Sequence, residues 1–175
     1  ADRRNAFFAL TNTRSMSPAD AQTCIHNLAD QLAQIAEKID QPLDLLVRGD
    51  STLRGHFPLE LETVRSAFEE RLGIRYDGVV LCPFFAEGGR VTAGDIHWVE
   101  ESDMMRPVAL TEFARDTTFG YSRSHLAHWV EEKTGGAVRA SDVLSISLEH
   151  IRQQGPQGVC DRLLQMRPER VAIMN

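Results

Sequence analysis

Asp50, Ser51, Arg54 and Gly55 fall within one short stretch, Arg48-Gly49-Asp50-Ser51-Thr52-Leu53-Arg54-Gly55-His56-Phe57. It unites a planar cation, a carboxylate, hydroxyls and the open amides that glycine provides. Arginine offers a two-point grip suited to carboxylate or phosphate, and backbone amides leading into a helix add partial positive charge for the same anion. Hydrogen bonds to a charged partner contribute roughly 1.5–3 kcal/mol each, so one arginine with two amides holds a small acid in the micromolar to millimolar range. Asp50 can accept a hydrogen bond from a sugar hydroxyl or take its proton. A plainer reading has Asp50 and Ser51 shaping a turn and pairing with Arg54 or Arg48, and spacing leaves both open. Arg48-Gly49-Asp50 as an adhesion signal is the least favoured, because charge and cysteine content point inside the cell.

A second polar loop, Cys82-Pro83-Phe84-Phe85-Ala86-Glu87-Gly88-Gly89-Arg90, follows the apolar run at 77–82. Gly88 and Gly89 permit close backbone approach, and Arg90 adds a second cation. On a parallel sheet both loops emerge at the same edge, where α/β proteins place ligands. The alternative pairs Glu87 with Arg90 on the surface and plugs the core with Phe84 and Phe85. His97 and Trp98 share a run that reads as a strand, so one of them is buried, and a packed role suits His97 better than a catalytic one. His125 and His128 are three apart on a helix without an evident third ligand, so packed or solvated rings outweigh a metal site. The chain contains no GxxxxGK[ST] phosphate loop. Met104-Met105 reads as gap filling, and Trp129 as core.

The elements that must position these groups follow from periodicity. Ala21, Ile25, Leu28, Leu32, Ile35 and Ile39 recur at helical spacing over 18–39. Ser17 caps that helix, Pro18 suits its first turn, and Pro42 follows its end; packing on a sheet is favoured over a coiled coil. AFFAL (6–10) and LDLLV (43–47) read as the first two strands, 58–72 as a helix ended by Gly73, and 77–82 as a parallel strand covered on both faces. The 83–121 region carries long loops and a hairpin around 91–99, and long ordered loops are often functional. A helix over about 122–133, a strand at VLSISL, a helix near 156–166 and a last strand RVAIM complete the chain. This βαβ rhythm predicts one α/β domain over 1–175 with a mostly parallel sheet flanked by helices, a Rossmann-like layered architecture.

At 175 residues with 42% hydrophobic and 25% charged residues, the chain falls in the ordinary globular class. A net charge of -6 argues against nucleic acid or an anionic membrane as partner. Cys24, Cys82 and Cys160 have no CxxC spacing and read as reduced thiols. Without an apolar run of membrane length or a leader-like start, the cytoplasm is the expected location. The opening without methionine and the ending on a strand suggest a fragment cut at both ends.

The stretches DSTLRGHFPLELE, CPFFAEGGRVTAGDIHWV, TEFARDTTFGY and HWVEEKTGG together resemble the four-carbon acid sugar kinase family, over nearly the whole chain and in order. The resemblance implies an N-terminal α/β domain that binds a tetronate such as D-threonate, D-erythronate or a 3-oxo-tetronate. A separate C-terminal domain then carries ATP with Mg2+, and the product is the 4-phosphate. Position by position it implies Asp50, Ser51 and Arg54 in the acid-sugar loop, Gly89 and Arg90 in a second loop, and Arg14 as a further contact. Arg54 holds the carboxylate, amides near Gly55 support it, and Asp50 orients or deprotonates a hydroxyl. The family's opening Asp-Asp-x-Thr-Gly segment and its nucleotide-binding domain have no counterpart here, so this stretch alone is expected to bind a tetronate weakly without phosphorylating it. The expected partner is a small four-carbon sugar acid, with a homodimer left open. A non-catalytic anion-binding or effector module with the same fold is the competing reading.

Overall fold

The computed structural model describes residues 7–39, 45–166 and 170–175. Helix α1 spans Pro18–Ile39, the range its capping signals predict. The Ser17 hydroxyl accepts from the Asp20 amide at 3.2 Å and donates to the Asp20 carboxylate at 2.7 Å, closing the first turn. The helix packs on α2, Leu59–Leu72, rather than on a sheet. Ala29, Ala33 and Ala67 let the two backbones approach while Ile25, Leu32 and Phe68 fill the seam. The buried stripe therefore follows the alanines, and Ile35 and Ile39, expected inside, are half exposed. Gly73 ends α2 at φ 66 with its amide on the Glu69 carbonyl at 3.0 Å.

Among the described residues two three-stranded sheets stand in place of the expected mostly parallel, Rossmann-like one, so the chain is α/β with mixed strand pairing. The parallel sheet has the order β1-β6-β5, with β1 Gly78–Leu81, β5 Leu144–Ile146 and β6 Arg170–Met174, and Val79 faces Val171 in register. Val80 is half exposed, so β1 is not covered on both faces as expected. The second sheet is an antiparallel meander of β2 Arg90–Ala93, β3 Ile96–Glu101 and β4 Met104–Pro107. Gly94 and Asp95, both at φ 60, form the two-residue turn that suits the right-handed twist of a hairpin. Met104 and Met105 lie exposed on edge strand β4 and fill no gap. Phe84 and Phe85 are likewise exposed instead of plugging the core.

Among the described residues the two N-terminal strands are not formed. Residues 7–10 and 45–47 are irregular and unpaired, with Phe8 and Leu46 exposed; the remainder of both predicted strands, and Pro42, lie outside the described residues. Helix α3 spans Leu126–Lys133 and α4 Gly155–Leu163, the latter entered through a wide π-helical turn at His150–Gln154.

The hairpin is tied to the C-terminal ends of the parallel strands. Asp95 receives hydrogen bonds from Ser145 at 2.8 Å and Asn175 at 2.6 Å, and its own amide donates to Asn175 Oδ1 at 2.7 Å. A core of Val99, Leu126, Trp129, Val130, Val171 and Ile173 joins the meander, α3 and the parallel sheet, and Leu53 of the polar loop is buried in it. No described helix is long and apolar enough to cross a membrane.

Candidate functional site

Residues 50–57 are built as a turn sunk into that core. The Leu53 amide donates to the Asp50 carbonyl at 3.1 Å, and Leu53 takes φ 65, a conformation that costs a bulky residue about 1–3 kcal/mol. Two distant side chains hold it, and one of its own ties it to a neighbouring turn. His97, fully buried on β3, donates from Nε2 to the Ser51 carbonyl at 2.8 Å. The Tyr121 hydroxyl donates to the Thr52 carbonyl at 2.7 Å. His56 Nε2 donates towards the Thr13 and Met16 carbonyls at 3.0 and 3.2 Å, docking the 3-10 turn Thr13–Ser15, which carries Arg14, against the loop. Burial pushes the Tyr121 phenol up, so this donor keeps its proton. Tyr121→Phe removes it and leaves a buried carbonyl unpaired, so stability is expected to fall by about 1–2 kcal/mol. For a protein of this size that lowers Tm by roughly 2–8 °C, checked by calorimetry.

The loop turns its charged groups outward together. Asp50 Oδ2 accepts from Arg54 Nε at 2.9 Å and from the Thr52 hydroxyl, while Oδ1 lies 3.4 Å from Arg14 Nη1. Burial raises the Asp50 carboxyl's affinity for protons, but the hydrogen bonds from Thr52 and Arg54 and the charges of Arg54 and Arg14 outweigh it and hold the group below the usual carboxylate range. A carboxylate so engaged is a weak proton acceptor at neutral pH. Its geometry suits positioning two arginines.

Arg54 commits its Nε edge to Asp50 and Thr52; its Nη1 lies 3.9 Å from Asp116 Oδ2, beyond hydrogen-bond range. Its guanidinium stands 4.9 Å from the centre of the Phe113 ring, and that of Arg90 stands 5.7 Å from the same ring. The two loops thus meet across Phe113. Arg90 Nη1 donates to the Gly88 carbonyl, and its buried Nε has no hydrogen-bond partner among the described residues. Glu87 forms no ion pair with Arg90 among the described residues. Gly89, at φ 70, is required by its neighbour: a Cβ there meets Glu100 Cβ at 2.7 Å. Gly55 has φ 154 and open space where a side chain would stand. Ser51 is half-buried beside them.

Sequence reasoning missed His56, Thr52, Phe113, Asp116 and Tyr121. The signal available was the density of aromatic and polar residues in TEFARDTTFGY, which forms one wall of the cluster. His125 and His128 have ring centres 5.2 Å apart, and among the described residues no group of three or more His, Cys, Asp or Glu is placed to hold a metal ion.

Arg14, Arg54 and Arg90 set against Asp50 and Asp116 leave a surplus of one positive charge at this rim. An open apolar groove of about 820 Å³ under α4 is lined by Ile151, Pro156, Val159 and Leu163, with Asp77 as its one charged residue among the described residues. Among the described residues it has no cation for an acid, so the arginine rim is the stronger candidate. A family model described as a sugar-binding N-terminal domain matches residues 1–175. No curated protein matches the chain.

Proposed function

The chain belongs to the sugar-binding N-terminal domains of the four-carbon acid sugar kinase family, and from that premise we propose that its arginine rim binds the carboxylate of a tetronate. The observation that carries this reading is the surplus of one positive charge around Arg54, which complements a monocarboxylate. The free Nη edge of Arg54 takes the carboxylate. Arg14, whose side chain is half exposed, and Arg90 add charge on either side. The Ser51 hydroxyl and the Gly55 amide supply further donors, and Gly89 keeps the second loop close. Asp50 holds Arg14 and Arg54 in place and orients the acid through them.

In the whole kinase, ATP with Mg2+ supplies the phosphoryl group for the 4-hydroxyl of D-threonate, D-erythronate or a 3-oxo-tetronate. This chain contributes the acceptor side: it fixes where that hydroxyl stands, the part of phosphoryl transfer that depends on positioning. A thermal-shift screen of the full-length protein with these acids, with and without ATP and magnesium, tests the reading. Saturation at about 100 times Kd stabilises by about 2.7 kcal/mol, a rise of roughly 5–10 °C. If no four-carbon acid raises Tm, the assignment is wrong.

A further inference from the structure

Asp116 is the acidic group of the rim that the reading above leaves without a role. It follows the short 3-10 turn Glu112–Arg115, and its Oδ1 accepts from the amides of Thr118 and Phe119, each at 2.9 Å. These bonds fix the carboxylate plane and leave Oδ2 as the oxygen facing Arg54, with 3.9 Å between Oδ2 and Arg54 Nη1. That gap is too long for a direct hydrogen bond. It sits beside a guanidinium already held on its other edge by Asp50 and over its face by Phe113. The two backbone hydrogen bonds, ahead of the Arg54 and Arg14 charges, keep the Asp116 carboxyl below the usual range despite some burial, so it is ionised at neutral pH and can only accept.

An anion acceptor next to a cation donor is complementary to a molecule that carries a hydroxyl on the carbon beside its carboxylate. The carboxylate takes Arg54, and the neighbouring hydroxyl donates to Asp116. We propose that Asp116 Oδ2 binds the 2-hydroxyl of the sugar acid and makes the site selective for 2-hydroxy acids over their 2-deoxy counterparts. This rests on the reading that Arg54 holds the carboxylate. Asp50 is less suited to the same task, since its Oδ2 already accepts from Arg54 and Thr52 and its Oδ1 faces Arg14 at 3.4 Å.

The test measures, by calorimetry on the full-length protein, Kd for D-erythronate and D-threonate against 3,4-dihydroxybutanoate, which lacks the 2-hydroxyl. The native protein is expected to prefer the better 2-hydroxy acid by about tenfold to a hundredfold, the worth of one hydrogen bond to a charged acceptor. Asp116→Ala is expected to erase that preference by weakening the 2-hydroxy acid alone. Asp116→Asn keeps an oxygen for the Thr118 and Phe119 amides while replacing the charged Oδ2 by a neutral amide donor, so the preference falls to that of an uncharged hydrogen bond, below about tenfold, with the turn intact, and it carries the test should Asp116→Ala fail to fold. A purely structural role weakens both ligands by the same factor and overturns the inference. So does a preference unchanged in Asp116→Asn. Arg54→Ala separates the two levels: if it leaves binding of every acid intact, the carboxylate reading falls as well, whereas if it abolishes binding while Asp116→Asn retains the preference, only the role of Asp116 falls.

Discussion

Arg54→Ala is expected to raise the Kd of the full-length protein for its preferred tetronate by about a hundredfold or more, with a much smaller effect on folding. Removing one member of a desolvated, hydrogen-bonded charge pair costs about 2–5 kcal/mol of binding, and most of that cost appears in the dissociation rate. The side chain is only 21% exposed and is held on its Nε edge by Asp50, so its Nη edge is presented to a ligand with little entropy left to lose. Arg54→Lys keeps the charge but cannot serve Asp50 on one edge and a carboxylate on the other, so it is expected to recover part of the affinity and remain about tenfold weaker than native. Calorimetric titration with D-erythronate and D-threonate reads both variants, and a melting curve of each confirms the fold. Binding by Arg54→Ala within threefold of native removes Arg54 from the site.

How much of this was legible beforehand depends on whether the signal was local. Ser17 and Pro18 fix the start of α1 because a cap and a first-turn proline act within one turn of chain, and the hairpin at Gly94-Asp95 is likewise a local device. The register of the buried face was not: alanine and isoleucine both suit a helix interior, and the close approach of α2 decides that Ala33 and Ala36 face in while Ile35 faces out. The apolar runs before residue 50 read as strands, yet residues 45–47 are irregular, because an apolar run becomes a strand only when a neighbour pairs with it. In the rim, Asp50 and Arg54 were visible as one sequence stretch. Phe113, Asp116 and Tyr121 were not, since the Tyr121 contact spans 69 residues and exists only after the meander has folded over the loop. Leu53 at φ 65 was illegible for a related reason: a turn there asks for glycine, and the leucine is kept because its side chain is buried in the core.

His97→Ala is expected to be the most destabilising single change among the residues that shape the rim. The ring is fully buried, its Nε2 donates to the Ser51 carbonyl at 2.8 Å, and its Nδ1 lies 3.0 Å from the Thr92 hydroxyl, which also donates to the Pro83 carbonyl at 2.9 Å. Truncation opens a cavity and leaves the Ser51 carbonyl unpaired, together about 3–5 kcal/mol. Tm is expected to fall by roughly 6–20 °C. Tetronate affinity is expected to fall with it, because the carbonyl released belongs to the turn that aims Asp50 and Arg54. The same burial gives the native protein a pH dependence. Burial, ahead of the opposing hydrogen bonds between the ring and the Ser51 and Val91 backbone, and with help from the Arg90 charge, lowers the His97 pKa below its ordinary value. Unfolding then takes up a proton between the folded pKa and about 6.5, so this contribution is full above pH 6.5 and is lost as the pH falls through the folded pKa. Its slope cannot exceed about 1.4 kcal/mol per pH unit for one group. Denaturant unfolding at pH 7.5, 6.5 and 5.5 is expected to show native stability falling over the lower interval, with the fall reduced in His97→Gln, which can still donate to the Ser51 carbonyl but does not titrate. An equal fall in both proteins assigns the acid sensitivity to other groups, and a His97→Ala protein as stable as native means that the ring does not hold the loop.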